Sequence, residues 1–333
     1  MRATSAIPHV LVWVSLSLLT GWELRNARPD PRGALARAGI ALLEGKVYRT
    51  VGSHQATLDV YLPTNTSSST GPPSRRPSVL AIHGGSWCGG SRTDYRIAKA
   101  EPSSDDPDNT IIRLAQQGLV VVAVDYRLAR PGSPSWPGVI DDLREAVRWT
   151  RRHASELEID PDRIVALGQS SGAHLAALLG TLPEELGTDG VSSRVQAVVS
   201  FYGPTDLAHL IRTRHLDHEP ARTLLGNDET KNPRTDFLAS PIHHVTKDDA
   251  PMLLLHGSDD SWVGPEQSSR MAEALESAGV PHRLIVVDGA RHGFEATVIY
   301  PVKCDLLPEI LAFLENVWNV SIGGTRPDSR RGR

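Results

Sequence analysis

The chain has little cysteine, no excess of one charge and no apolar run long enough to cross a bilayer. Only two cysteines, Cys88 and Cys304, occur in 333 residues. Neither has a His or Cys neighbour at metal-site spacing, which argues against a structural zinc. An exported chain would permit one disulfide between them, and two free thiols account for them equally well. Charge is balanced, with 35 Lys plus Arg against 39 Asp plus Glu. No basic stripe appears, so nucleic acid is not the expected partner. Internal repeats and extended low-complexity tracts are also absent.

The one apolar run that stands apart, Val10-Leu11-Val12-Trp13-Val14-Ser15-Leu16-Ser17-Leu18-Leu19, follows Arg2. It falls short of the roughly 20 residues that a spanning helix needs, and has the length of a signal-peptide core. No clear small-residue cleavage site follows it. The expectation is a signal peptide or N-terminal anchor over 1–22, with export (secreted or periplasmic), or a cytoplasmic protein if the segment has no such role. Any membrane contact is expected through this segment alone. Residues 23–45, rich in Arg, Pro and Ala, read as a linker, 46–320 as one catalytic domain and 321–333 as a disordered basic tail.

What is present is an alternation of short β-rich runs and helical segments. Residues 46–51 and 57–62 read as an antiparallel hairpin. Further strands are expected at 79–82, 119–124, 163–167, 195–200, 251–255 and 282–287. Helices are expected at 109–117, 139–153, 265–278 and 306–318, with another directly after residue 172. Continuous apolar runs such as Leu119-Val120-Val121-Val122-Ala123-Val124 suit strands buried on both faces. The pattern predicts an α/β fold: a mostly parallel eight-stranded sheet with helices on both faces. The polar stretch 203–245, broken by Pro220 and Pro233, reads as a small helical insert.

The sharpest local feature is Gly168-Gln169-Ser170-Ser171-Gly172, a G-x-S-x-G pattern between an apolar strand and a helix. Five residues with three fixed occur by chance, and a bland Gly/Ser turn would look the same. The strand-turn-helix setting makes it a nucleophile elbow, with Ser170 at the tip of a strained turn. The N–H of Ser171 then opens a helix, where donors are unpaired and the dipole favours negative charge.

Three further motifs follow strands. His83-Gly84-Gly85-Ser86-Trp87 comes directly after 79–82, where Gly85 and Ser86 are the expected oxyanion donors beside Ser171. His256-Gly257-Ser258-Asp259-Asp260-Ser261-Trp262-Val263 follows 251–255. Here Asp260 rather than Asp259 is expected to orient a histidine, and His256 to stabilise the loop. Asp288-Gly289-Ala290-Arg291-His292-Gly293-Phe294 follows 282–287 and offers His292 as the base. Most histidines are structural or exposed; His292 stands out by its place between two glycines after the last strand. The order Ser170, Asp260, His292 is that of α/β hydrolases. Trp87 and Trp262, with Tyr95, Tyr126 and Tyr202, are candidates to line a substrate pocket, although aromatics near motifs are often only packing.

These motifs, together with Asp125-Tyr126-Arg127-Leu128, Asp160-Pro161-Asp162-Arg163-Ile164 and Phe201-Tyr202-Gly203, resemble those of α/β-hydrolase-fold esterases over about residues 46–318. The chain is similar to the acetyl-esterase and feruloyl-esterase-like (BD-FAE-like) carboxylesterases, relatives of the hormone-sensitive-lipase group. It departs from that group at Ser86, where a third glycine is usual, and at Gln169-Ser170-Ser171-Gly172-Ala173 in place of Asp-Ser-Ala-Gly-Gly. Both departures point to the branch with little cap. The resemblance implies a Ser170-His292-Asp260 triad, no metal or organic cofactor, and a small-molecule ester as partner. Short acyl or small aromatic esters are expected. The acidic stretch 101–108 is a candidate pocket wall. Arylformamidases and some serine peptidases share the His-Gly-Gly-x-Trp loop, so activated amides remain an alternative, and a non-catalytic binding protein a more remote one. Nothing in the pattern speaks to an oligomer.

Overall fold

The computed structural model describes residues 31–64, 75–95, 109–213, 219–226, 234–298, 303–320 and 322. The expected signal segment, the stretch 101–108 and, but for Ile322, the tail lie outside the described residues.

The strands are β1 (Ile40–Val51), β2 (His54–Pro63), β3 (Arg76–Ile82), β4 (Val120–Val124), β5 (Ile159–Gln169), β6 (Ala197–Phe201), β7 (Met252–Gly257) and β8 (His282–Val287). Among the described residues they form one eight-stranded sheet in the order β1-β2-β4-β3-β5-β6-β7-β8. β1 and β2 pair antiparallel, as do β2 and β4. Every pair from β4 through β3 to β8 is parallel. A short hairpin, β9 (Thr297–Val298) with β10 (Cys304–Asp305), lies apart from it. The helices are α1 (Pro31–Arg37), α2 (Thr110–Gln116), α3 (Gly138–Arg152), α4 (Ser171–Thr181), α5 (Leu207–Thr213), α6 (Glu219–Leu225), α7 (Thr235–Leu238), α8 (Glu266–Ala278) and α9 (Leu307–Trp318). The expected insert is α5–α7.

The apolar runs make sense on this sheet. Side chains alternate along a strand, so each central strand feeds two cores. In β4, Val120, Val122 and Val124 pack on one face with α3, α4 and α8. Val121 and Ala123 pack on the other with α1, α2 and α9. β7 splits in the same way, with Met252 and Leu254 against Leu253 and Leu255. Because both faces are covered, polar positions are few in these strands and the run reads as continuous. Burying each such side chain contributes about 1.5–3 kcal/mol.

The expected linker requires correction. From residue 31 onward it is structured, as α1 and the first half of β1. Leu35 and Ile40 are 1% and 2% exposed and anchor this segment to the second core. Two register shifts in β1, between Leu43 and Lys46 and between Val47 and Arg49, break its alternation. That irregularity hides the strand's beginning from a period-2 reading.

All the motif loops leave the C-terminal edge of the parallel strands, where open α/β sheets place their sites. In register, Ile82 sits beside Gly168, Gln169 beside Phe201, and Gly257 beside Val287.

Candidate active site

The elbow is built by close approach. A Cβ on Gly168 would lie 2.2 Å from the Gly172 carbonyl oxygen, and one on Gly172 would lie 2.1 Å from that of Ile82. Only glycine fits at either place. The turn drives Ser170 to φ 53° and ψ −120°, a conformation that costs on the order of 1–3 kcal/mol. Hydrogen bonds fix it: the Ser170 N–H donates to the Phe201 carbonyl at 2.9 Å, and the His174 N–H donates to the Ser170 carbonyl at 3.1 Å. Every residue of α4 is buried.

Three side chains then meet in one line. The Nε2 of His292 lies 2.9 Å from the Oγ of Ser170, and its Nδ1 lies 2.7 Å from the Oδ2 of Asp260. A carboxylate only accepts, so Nδ1 carries the proton and bare Nε2 faces the hydroxyl. Asp260 is 4% exposed. Its Oδ1 accepts from the N–H groups of Trp262 and Val263, both at 2.9 Å. Burial alone would raise this carboxyl. The neighbouring His256, the hydrogen bond from His292 and that from the Val263 N–H outweigh it and hold Asp260 well below the usual carboxylate range. Asp259 is exposed and contacts the Ser258 hydroxyl.

His256 is fully buried between the Ser268 hydroxyl (2.7 Å from Nδ1) and the Val263 carbonyl (2.9 Å from Nε2). A carbonyl only accepts, so Nε2 donates there and the ring closes the loop around Asp260. The ring of His292 meets Tyr202 edge-on, with centroids 4.7 Å apart, and lies nearly parallel to Trp262 at 6.1 Å.

The loop after β3 rests on the elbow: a Cβ on Gly84 would sit 3.4 Å from that of Ser170. Gly85, Ser86 and Trp87 follow in left-handed conformation, with φ of 116°, 54° and 60°. Among the described residues, the N–H groups of Gly85, Ser86 and Ser171 donate to no protein acceptor. Of these unspent donors, those of Ser86 and Ser171 belong to residues that border the cleft beside Ser170, and Gly85 directly precedes Ser86 in the loop.

A cleft of about 310 Å³ opens over Ser170, Ser171 and His292. Its apolar walls include Trp87, Pro204, Leu210, Pro220, Ala221 and Val263. Trp262, 71% exposed, stands at the mouth.

The BD-FAE family model matches residues 58–275, well over half of the chain. The chain belongs to the BD-FAE family. Among curated proteins, esterase LipC of Mycobacterium tuberculosis is 31% identical over 252 residues, covering 68% of this chain and 58% of LipC. The chain spans about half the length of the curated relatives it matches: 44%, 58% and 59% of three mycobacterial proteins. Among solved structures, a truncated carbohydrate esterase from gut microbiota superposes with a TM-score of 0.67 at 25% identity, covering 84% of this chain and 96% of that one. An esterase of Thermogutta terrifontis, Est2, gives 0.59 at 29% identity, covering 77% and 84%. The fold is the α/β-hydrolase fold.

Within this BD-FAE chain, two of the aromatic expectations need correction. Tyr126 and Tyr202 do not line the cleft. Tyr126 stacks on His83 and donates its hydroxyl hydrogen to the His83 carbonyl, while Tyr202 supports His292. Trp87 does edge the cleft, but it is only 4% exposed and its indole N–H is spent on His174 at 3.1 Å. Cys88 and Cys304 are both free. Sequence reasoning missed the glutamate network below the elbow. The Gln169 amide donates to Glu295 at 2.8 Å, and Glu295 also pairs with the Thr110 hydroxyl. That bond ties the elbow to the His292 loop, and only the spatial adjacency of β5 and the 288–298 segment reveals it.

Proposed function

We propose that this chain is a serine carboxylesterase acting on short-chain acyl or small aromatic esters through Ser170, His292 and Asp260. One observation carries the reading: the unbroken line from the Ser170 hydroxyl through His292 to a carboxylate held ionised. His292 Nε2 takes the Ser170 proton as Oγ attacks the ester carbonyl. Such base catalysis contributes on the order of 10²–10⁴-fold. The oxyanion is held by the N–H groups of Ser171 and of the Gly85 and Ser86 loop, each donor being worth about 3 kcal/mol. His292 then gives the proton to the leaving alcohol. Water, activated by the same ring, hydrolyses the acyl-enzyme. Asp260 fixes the imidazole tautomer and stabilises its cation. The chemistry calls on no metal or organic cofactor.

The small apolar cleft favours a short acyl group, since each further methylene must find space among Leu210, Pro220 and Val263. The exposed ring of Trp262 offers a flat surface to the alcohol part. A sugar alcohol fits both that platform and the name of the gut-microbiota relative. Hydrolysis of p-nitrophenyl esters from C2 to C16 tests the reading. We expect activity to peak at C2–C4 and to vanish in Ser170→Ala. Near-normal activity in that variant, or an optimum at long chains, would overturn it.

A further inference from the structure

The fully buried His174 in the elbow helix is not used by the mechanism above, yet it joins three parts of the site. Its Nε2 lies 2.6 Å from the Ala239 carbonyl, which can only accept, so Nε2 carries the hydrogen. Nδ1 is therefore bare, and it accepts the Trp87 indole N–H at 3.1 Å. The two rings stand at 87° with centroids 5.2 Å apart. Burial pushes the His174 value down to about 4, which keeps the ring neutral and the acceptor available near pH 7.

Trp87 directly follows Ser86, and both are non-glycine residues at positive φ. Such a backbone persists only when its surroundings over-determine it. The Trp87 indole is bonded to the elbow helix, and its carbonyl accepts from the Ala129 N–H at 2.9 Å. Ala239 follows α7 directly, in the insert whose earlier helices α5 and α6 wall the cleft.

We propose that His174 is a positioning residue which, through Trp87, sets the Gly85 and Ser86 donors at a fixed distance from the Ser171 donor. It also ties their position to the insert through Ala239. The proposal rests on the esterase reading, because it concerns donors for that reaction's oxyanion. The two halves of the hole come from different loops, and a shift of about 1 Å between them suffices to cost on the order of 100-fold in rate.

The test compares kcat/KM on p-nitrophenyl acetate with that on its thionoacetate analogue, in the wild type, Trp87→Phe, His174→Phe and the double variant, with melting temperatures alongside. Sulfur is a larger and weaker hydrogen-bond acceptor than oxygen, so a well-set hole prefers the oxygen ester strongly, and a displaced one loses that preference. We expect the oxygen-to-sulfur ratio to fall about tenfold or more in each single variant, with no further fall in the double variant. A ratio unchanged in Trp87→Phe, whatever its stability, would overturn the proposal. If His174→Phe fails to fold, the milder Trp87→Phe still decides it. Ser170→Ala separates the two levels. Retained turnover there defeats the esterase reading itself, whereas a dead Ser170→Ala with an unmoved ratio defeats only the positioning role.

Discussion

At the scale of single residues, the site is an exercise in holding protons in place. Asp260 stays ionised because its two oxygens accept from His292 and from two loop N–H groups, with His256 close by. His174 stays neutral because burial disfavours its cation, and this outweighs the opposite pull of the Ala239 carbonyl that accepts from Nε2. The latter makes stability depend on pH. The folded value of His174 is depressed, to about 4 against an ordinary 6.5. Between those values the unfolded chain takes up a proton that the folded chain refuses. Stability is therefore full above about pH 6.5 and falls as pH drops towards 4, by on the order of 3 kcal/mol from this residue. His83, also held down by burial, acts in the same direction. Urea midpoints at pH 7, 5.5 and 4.5 should decline in the wild type and decline less steeply in His174→Phe. Equal slopes would contradict the assignment. Ser170, Asp260 and His292 were legible as candidates because each stands in a short motif after a strand. The role of His174 was not, because a histidine inside the apolar run Ala173-His174-Leu175 carries no mark of its partners.

At the scale of elements, local pattern fared best where packing is symmetrical. The strands buried on both faces announced themselves as continuous apolar runs, and the helices of both layers by their apolar faces. Pattern failed where the chain is irregular. The register shifts of β1 concealed its first residues, and the Arg- and Pro-rich composition of α1 disguised a segment pinned by Leu35. The insert was foreseeable as helical, but not which of its side chains face the cleft, since that depends on how α5 and α6 lie over the sheet. Leu210 on α5, 6% exposed and lining the cleft, is the consequence that matters for substrate. Leu210→Ala should enlarge the acyl space and move the optimum to longer esters. The gain in kcat/KM should approach about fourfold for each methylene newly buried. An unchanged chain-length profile would show that the acyl group lies elsewhere.

At the scale of the whole molecule, the sheet is what makes the site possible. The Gly85 and Ser86 loop, Ser170, Asp260 and His292 follow β3, β5, β7 and β8, far apart in sequence and brought to one edge by parallel register. The strand order was not in the motifs. It follows from which apolar runs pair in the sheet. The central claim is that this edge makes Ser170 a nucleophile. The most direct measurement is the intact mass of the protein after reaction with a fluorophosphonate, followed by peptide mapping. A single adduct on Ser170, absent in Ser170→Ala, is the predicted result. A folded protein that takes up no label, or carries it on another residue, would contradict the claim.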